Sequence, residues 1–136
     1  MYVLDCSAAA EMVRGTERGE RFVSVLEAGE AVVSSELIQA ELPSVFWKYT
    51  RGGWCTKAVA LASVDAALDL VTAFVPLGET RTEALSEAIR LDHSPYDMAY
   101  FVLARRFGAT LLTCDKRLSA LCRREGVEVF DGGTRA

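Results

Sequence analysis

The sequence predicts an α/β fold, a parallel sheet with helices on both faces, and two observations carry that prediction. Short apolar runs (Met1 to Asp5, Ala31 to Ser34, Val71 to Leu77, Ala109 to Thr113, Val127 to Phe130) alternate with longer segments of helical periodicity. Strands separated by helices in this way pair in parallel through right-handed crossovers. Two of the runs also stop at an acid, Asp5 and Asp115. Ligands of such sheets collect beyond the carboxyl ends of the strands, at the switch point in strand order, which is where both acids would lie.

Taken in order, the first run reaches Asp5, and Ser7 with Ala8 to Ala10 opens a helix. Glu17 to Leu26 carries Phe22, Val23 and Leu26 at helical spacing, and Gly29 closes it. After the second strand, Ser34 or Ser35 is placed to cap a helix from Glu36 to about Thr50. At 100° per residue Leu37, Ile38, Leu42, Val45 and Tyr49 share one face of it, and Glu41 falls inside that arc. Pro43 removes the bond to the Gln39 carbonyl and predicts a kink or an early irregularity. Arg51, Gly52 and Gly53 mark a loop, and Thr56 to about Leu70 forms the second arm of a helical hairpin spanning about 36–70. A weak strand ends at Pro76, and Glu79 to Leu91 is helical on Ala84, Leu85, Ala88, Ile89 and Leu91.

Ser94 to Leu118 holds the chain's most unusual stretch. Pro95 to Phe107 is apolar at nearly every azimuth, which predicts a helix buried on most sides, with Ser94 as N-cap, Pro95 in the first position and Gly108 as its stop. Asp97 stands in the first turn, where an acid either serves the cap and the helix dipole or does something else. Ala109 to Thr113 then runs as a strand into Cys114 and Asp115, and Asp115 can be the N-cap of a helix from Lys116 to Glu125. Gly126 stops that helix, a last strand covers Val127 to Phe130, and a loose tail is expected from about 131.

At 136 residues with 51% apolar composition, the chain suits one domain, 1–136. It contains no run of about 18 apolar residues and no basic-then-apolar leader, so no membrane span is expected and a cytoplasmic place is. Cys6, Cys55, Cys114 and Cys122 form no C-x-x-C pair, and the single histidine, His93, reads as a loop residue rather than a ligand, so neither a zinc site nor a disulfide framework is spelled out. The net charge of −4 speaks against broad non-specific nucleic-acid binding and leaves room for a local basic patch.

Four acids thus stand where packing alone would not put them: Asp5 and Asp115 at strand ends, Glu41 on an apolar helix face, and Asp97 in the first turn of a buried helix. Carboxylates that converge repel one another unless a cation neutralises them. Oxygen-only donors, without histidine or thiolate, suit Mg2+ or Mn2+ better than zinc, and phosphodiester hydrolysis is the reaction such ions support. Arg105, Arg106, Lys116 and Arg117 read first as a solvated face, and their place beside these acids in sequence makes them candidates to steer an RNA phosphate. Trp47, opposite the apolar arc of its helix, and Trp54, after Gly52-Gly53 at the hairpin tip, are candidate anchors for a partner protein, the alternative being that the fold buries both rings.

With VLDCSA at the start, SSELIQAEL before the hairpin, SPYDMAYFVLARRFGATLLTCDKRL and a closing strand after Gly126, the chain resembles the PIN domains over nearly its whole length, and within them the VapC-type toxins of toxin–antitoxin pairs. That resemblance implies a three-layer α/β/α sandwich around a parallel five-stranded sheet, usually dimeric. It implies Asp5, Glu41, Asp97 and Asp115 as catalytic and metal-holding acids, with Ser7 and Thr113 as auxiliary polar positions; on the residues alone these two are equally a helix N-cap and a strand hydroxyl. It further implies RNA cleavage with Mg2+ or Mn2+ and restraint by an antitoxin. Pro43 and Met98 depart from the family's pattern. A haloacid-dehalogenase-like phosphatase would need a second acid where Ser7 stands, and a receiver domain would need an acidic pair after the first strand. A PIN fold that only binds RNA or protein is the remaining rival.

Overall fold

The computed structural model describes residues 1–134. Five strands, β1 (Tyr2–Leu4), β2 (Val32–Ser35), β3 (Ala73–Val75), β4 (Thr110–Leu112) and β5 (Val129–Phe130), form one sheet in the order β3-β2-β1-β4-β5. All pairings are parallel, with Tyr2 beside both Val32 and Thr110. The chain steps from β1 to β3 in one direction and from β3 to β5 in the other. The crossover rule therefore sends the first helices to one face and the later ones to the opposite face. The packing agrees: α1 (Cys6–Arg14) touches α2 (Glu17–Val25), α3 (Ile38–Arg51) and α4 (Lys57–Asp69), whereas α6 (Pro95–Phe107) touches α5 (Leu77–Leu91) and α7 (Lys116–Arg124). This is the expected three-layer α/β/α arrangement, and its switch point lies between β1 and β4.

Each face has a helix suited to close packing. Ala8, Ala9 and Ala10 let α1 approach, and at Gly19 a Cβ would meet the Glu11 carbonyl oxygen at 2.1 Å, so α2 crosses α1 at a distance only glycine allows. On the other side α6 is buried from Met98 through Ala104 against β1, β2 and β4, and Gly108 at φ 59 closes it in the left-handed conformation.

Several expected boundaries and faces shift. The third helix begins at Ile38 rather than Glu36, because Glu36 and Leu37 form a tight turn in which Gln39 N–H donates to the Glu36 carbonyl and Ala40 N–H to that of Leu37. The helix runs on through Pro43 to Arg51. Ser35 Oγ accepts from Leu37 N–H, while Ser34 Oγ donates to the Leu4 carbonyl at 2.6 Å inside the core. Leu85 and Ile89, expected in the core, are exposed: α5 turns Thr80, Ala84, Glu87 and Ala88 toward α6, and the small side chains set that close contact. The segment from Asp131 is not loose where it is described. Arg18 donates to the Asp131 carbonyl, Arg21 to that of Gly132, and Asp131 pairs with Arg123. Residues 135–136 lie outside the described residues.

Candidate active site

The two strand-end acids are fixed by the start of the helix that follows each of them. Asp5 is the N-cap of α1, its Oδ1 accepting from Ala8 N–H at 2.9 Å and from the Ser7 hydroxyl at 2.7 Å. Asp115 is the N-cap of α7, with Oδ1 accepting from the N–H groups of Arg117 and Leu118. The capping reading of Asp115 therefore holds, it leaves Oδ2 outside the cap's hydrogen bonds, and the residue lines the cleft. β1 and β4 are neighbours, so their ends stand side by side: Asp5 N–H donates to the Leu112 carbonyl. Ser7 is not the cap of α1. Its Oγ, while donating to Asp5, accepts from Cys114 N–H at 2.9 Å and lies 3.4 Å from Thr113 Oγ1, which in turn accepts from Asp115 N–H. Ser7 and Thr113 thus tie the two strand ends into one rigid unit.

The other two acids come from opposite layers. Glu41, in the first turn of α3, receives a 2.5 Å hydrogen bond from the Tyr100 hydroxyl. Tyr100 is 2% exposed and stands three residues after Asp97 on α6, so one helix presents an acid of its own and orients an acid of another. Burial raises the Tyr100 phenol far above its usual range, with the Glu41 charge adding to the rise, so the phenol stays protonated and acts as a donor. Asp97 is not the cap of α6; Ser94 is, accepting from Tyr96 N–H. Its own partner is His93, whose Nε2 lies 2.9 Å from Asp97 Oδ2.

His93 is therefore no ordinary loop residue: its side chain is 6% exposed and faces the acids. Its sequence position gives no signal, because His93 precedes the helix that begins at Pro95 and its spacing to Asp97 marks no helix face. Tyr100 gave none, since a tyrosine in a buried helix reads as core.

Asp5, Cys6, Ser7, Glu41, Val45, Asp97, Tyr100 and Asp115 line a single cleft of about 210 Å³. Burial pushes the Asp5 carboxyl up to about 6, against the hydrogen bonds from Thr113, Ala8 and Ser7, with the Asp97 charge assisting the rise. Glu41 is raised by burial, opposed by Tyr100 and assisted by Asp97. Asp97 is raised by burial, lowered by His93, and raised again by the Asp115 charge. Desolvated carboxylates that repel one another are short of positive charge, and oxygen donors of this kind fit Mg2+ or Mn2+. His93, Asp97 and Asp115 in particular each offer a ligand atom within 4.8 Å of the other two.

The basic residues divide. Lys116 and Arg117 are exposed at the start of α7, directly after Asp115, and the Arg117 charge is felt at Asp97. Arg105 and Arg106 are not brought to the acids. Eight residues of helix separate Asp97 from Arg105, about 12 Å at 1.5 Å per residue. At that far end Arg105 pairs with Glu83 and Glu87, and Arg106 with Glu83. They bind α6 to α5. Neither tryptophan is buried by the fold: Trp47 is 56% and Trp54 76% exposed. Beside Trp47, the two arms of the hairpin enclose an apolar groove of about 580 Å³ lined by Pro43, Phe46, Ala60, Leu61 and Val64. Phe46 completes the buried face of α3, an addition to the expected arc.

The sequence model of the PIN domain matches residues 2–124. Over 119 residues the chain is 26% identical to Ribonuclease VapC3 of Pyrobaculum aerophilum, which covers 86% of this chain and 91% of that protein. The crystal structure of PAE2754 from Pyrobaculum aerophilum superposes with a TM-score of 0.68 at 22% identity, over 88% of this chain and 82% of that one. The structure of VapBC-1 from nontypeable Haemophilus influenzae does so with a TM-score of 0.64 at 15% identity, over 96% and 97%. Both structural likenesses are likenesses of fold.

Proposed function

The chain belongs to the PIN-domain family, and from that premise we propose that it is a metal-dependent endoribonuclease toxin that hydrolyses RNA phosphodiester bonds and is held inactive by a cognate antitoxin. The observation that carries this reading is the meeting of Asp5, Glu41, Asp97 and Asp115, from four separate elements, in one cleft at the switch point of the sheet. The name of Ribonuclease VapC3, aligned over most of both chains, supports RNA as the substrate. A PIN fold serving only as a binding module has no use for desolvated carboxylates gathered at that price in repulsion.

In this reading the four acids hold Mg2+ or Mn2+, which when bound polarises the scissile phosphate and lowers the pKa of a water. The chain's own part is positioning. Ser7 and Thr113 lock Asp5 to Asp115, Tyr100 holds Glu41, and His93 meets Asp97. Lys116 and Arg117 at the rim contact backbone phosphate, which fixes register without reading sequence. The cytoplasm, where the RNA is, is the place of action, and no helix among the described residues is long and apolar enough to cross a membrane. The test is direct: the purified full chain is expected to cut single-stranded RNA with millimolar Mg2+ or Mn2+ and to stop when EDTA is added. Cleavage undiminished by EDTA would remove the metal from the mechanism.

For the antitoxin we assign the hairpin surface. Trp47, Trp54 and the groove between α3 and α4 offer an apolar patch with aromatic anchors, and the paired name VapBC-1 of a structural neighbour supports a protein partner. Acrylamide is expected to quench both tryptophans in the isolated chain, and the quenching should fall when the antitoxin is co-purified. Equal quenching with and without that partner would move its binding site elsewhere.

A further inference from the structure

His93 lies against Asp97 at the edge of the cleft and brings a nitrogen donor to a site otherwise built mainly from oxygen donors, and the backbone takes an unusual course to place it there. Asp92, at φ 51 and ψ 55, is the only non-glycine residue among the described ones with a positive φ. L-residues rarely adopt that left-handed conformation. It ends α5, and in the next step His93 N–H donates to the Ala88 carbonyl at 3.1 Å, before Ser94 caps α6. The imidazole is thereby turned inward, with its side chain 6% exposed. Its Nε2 lies 2.9 Å from Asp97 Oδ2, and the ligand atoms of His93, Asp97 and Asp115 fall within 4.8 Å of one another. Two donors held about 2.1 Å from one ion at right angles stand about 3 Å apart, so the His93–Asp97 separation suits a shared ion as well as a shared proton.

We propose that His93 is a nitrogen ligand of the metal site, forming with Asp97 and Asp115 an outer position that selects Mn2+ over Mg2+. The inference rests on the metal-dependent reading above and adds to it the choice of ion. Asp5 and Glu41 are the deeper, oxygen-only side of the cleft. Carboxylate and water satisfy Mg2+, a hard ion that rarely takes imidazole, whereas first-row transition ions accept an imidazole nitrogen readily. Asp115 commits Oδ1 to the cap of α7, and Oδ2 is what it offers to the ion. The bland alternative is that His93 only hydrogen-bonds to Asp97 and steadies it, as neighbours of metal ligands commonly do.

Mn2+ and Mg2+ titrated calorimetrically into the full chain, together with electron paramagnetic resonance of the Mn2+ form, separate these cases. The expected result is nitrogen-14 coupling to bound Mn2+ in the unaltered protein. In His93→Gln the Mn2+ affinity should fall at least about tenfold and the Mg2+ affinity less than about threefold. Mn2+ bound without nitrogen coupling, or a His93→Gln variant that weakens both ions equally, overturns the role of His93 and leaves the metal-dependent reading standing. Uptake of neither ion by the unaltered chain overturns that reading and this inference with it. The spectroscopic arm needs no variant, so a His93→Gln chain that fails to fold does not shelter the proposal.

Discussion

Asp97→Asn is expected to lower RNA cleavage by about three orders of magnitude while moving the melting temperature by less than about 3 °C. The size follows from the role. On the proposed metal role, losing this carboxylate is expected to cost about 4 kcal/mol of transition-state stabilisation, and 1.36 kcal/mol is a factor of ten. The small change in stability follows from the structure. The substitution is nearly isosteric, the cap of α6 is Ser94 rather than Asp97, and the amide oxygen can still accept from His93. Removing a charge that the Asp115 carboxylate opposes offsets part of what is lost. Cleavage assays beside thermal melts of both proteins check the pair of outcomes. Near-wild-type cleavage would return Asp97 to a structural role, and a collapsed melting temperature would show that it supports α6 after all.

That prediction could be framed from the sequence because Asp97 violates a pattern: an acid in a helix apolar on every side needs a reason. The same logic exposed Glu41 within the apolar arc of α3 and the acids that end β1 and β4, and strand alternation with right-handed crossovers was enough to put all of them on one edge of the sheet. Residues that break no pattern stayed hidden. Tyr100 satisfies the core rule for α6 and only the three-dimensional approach of α3 reveals its bond to Glu41. His93 reads as loop because it lies outside any helix; its direction depends on the left-handed turn at Asp92, a conformation aspartate tolerates better than most L-residues but that nothing else in the sequence marks at this position. Sequence proximity misled for Arg105 and Arg106, which are adjacent to the motif in the chain but a helix length from it in space, tied to Glu83 and Glu87. On α5 the apolar count was right and the face wrong, because close packing against α6 favoured Ala84 and Ala88 over Leu85 and Ile89.

The metal-free protein is expected to melt at a lower temperature at pH 7.5 than at pH 5, and added Mn2+ or Mg2+ should reverse the loss. Asp5 sets the sign. Its carboxyl is raised from 3.8 to about 6 in the folded chain, so between those values the folded state binds more protons than the unfolded one. Stability from this group is therefore fully present below pH 3.8 and is lost as pH rises through 6. From pH 5 to 7.5 that amounts to about 1 kcal/mol from Asp5 alone, or several degrees in melting temperature for a chain of this size. Glu41 and Asp97 are raised by the same burial and act in the same direction. Glu87, held down at about 2 by Arg90 and Arg105, and Glu83 and Asp131, also lowered, act oppositely, but their stability is lost only as pH falls from 4.5 or 3.8 toward their folded values, mostly below this window. At pH 7.5 a cation at a hundred times its dissociation constant restores about 2.7 kcal/mol. Asp5→Asn keeps an N-cap for α1 while removing the buried charge. It should flatten the pH slope, raise the metal-free melting temperature at pH 7.5, and shrink the gain from metal. Differential scanning fluorimetry at both pH values, with EDTA and with each ion, reads all three quantities. A melting temperature indifferent to pH and metal in the unaltered chain would mean that the four carboxylates do not share one field.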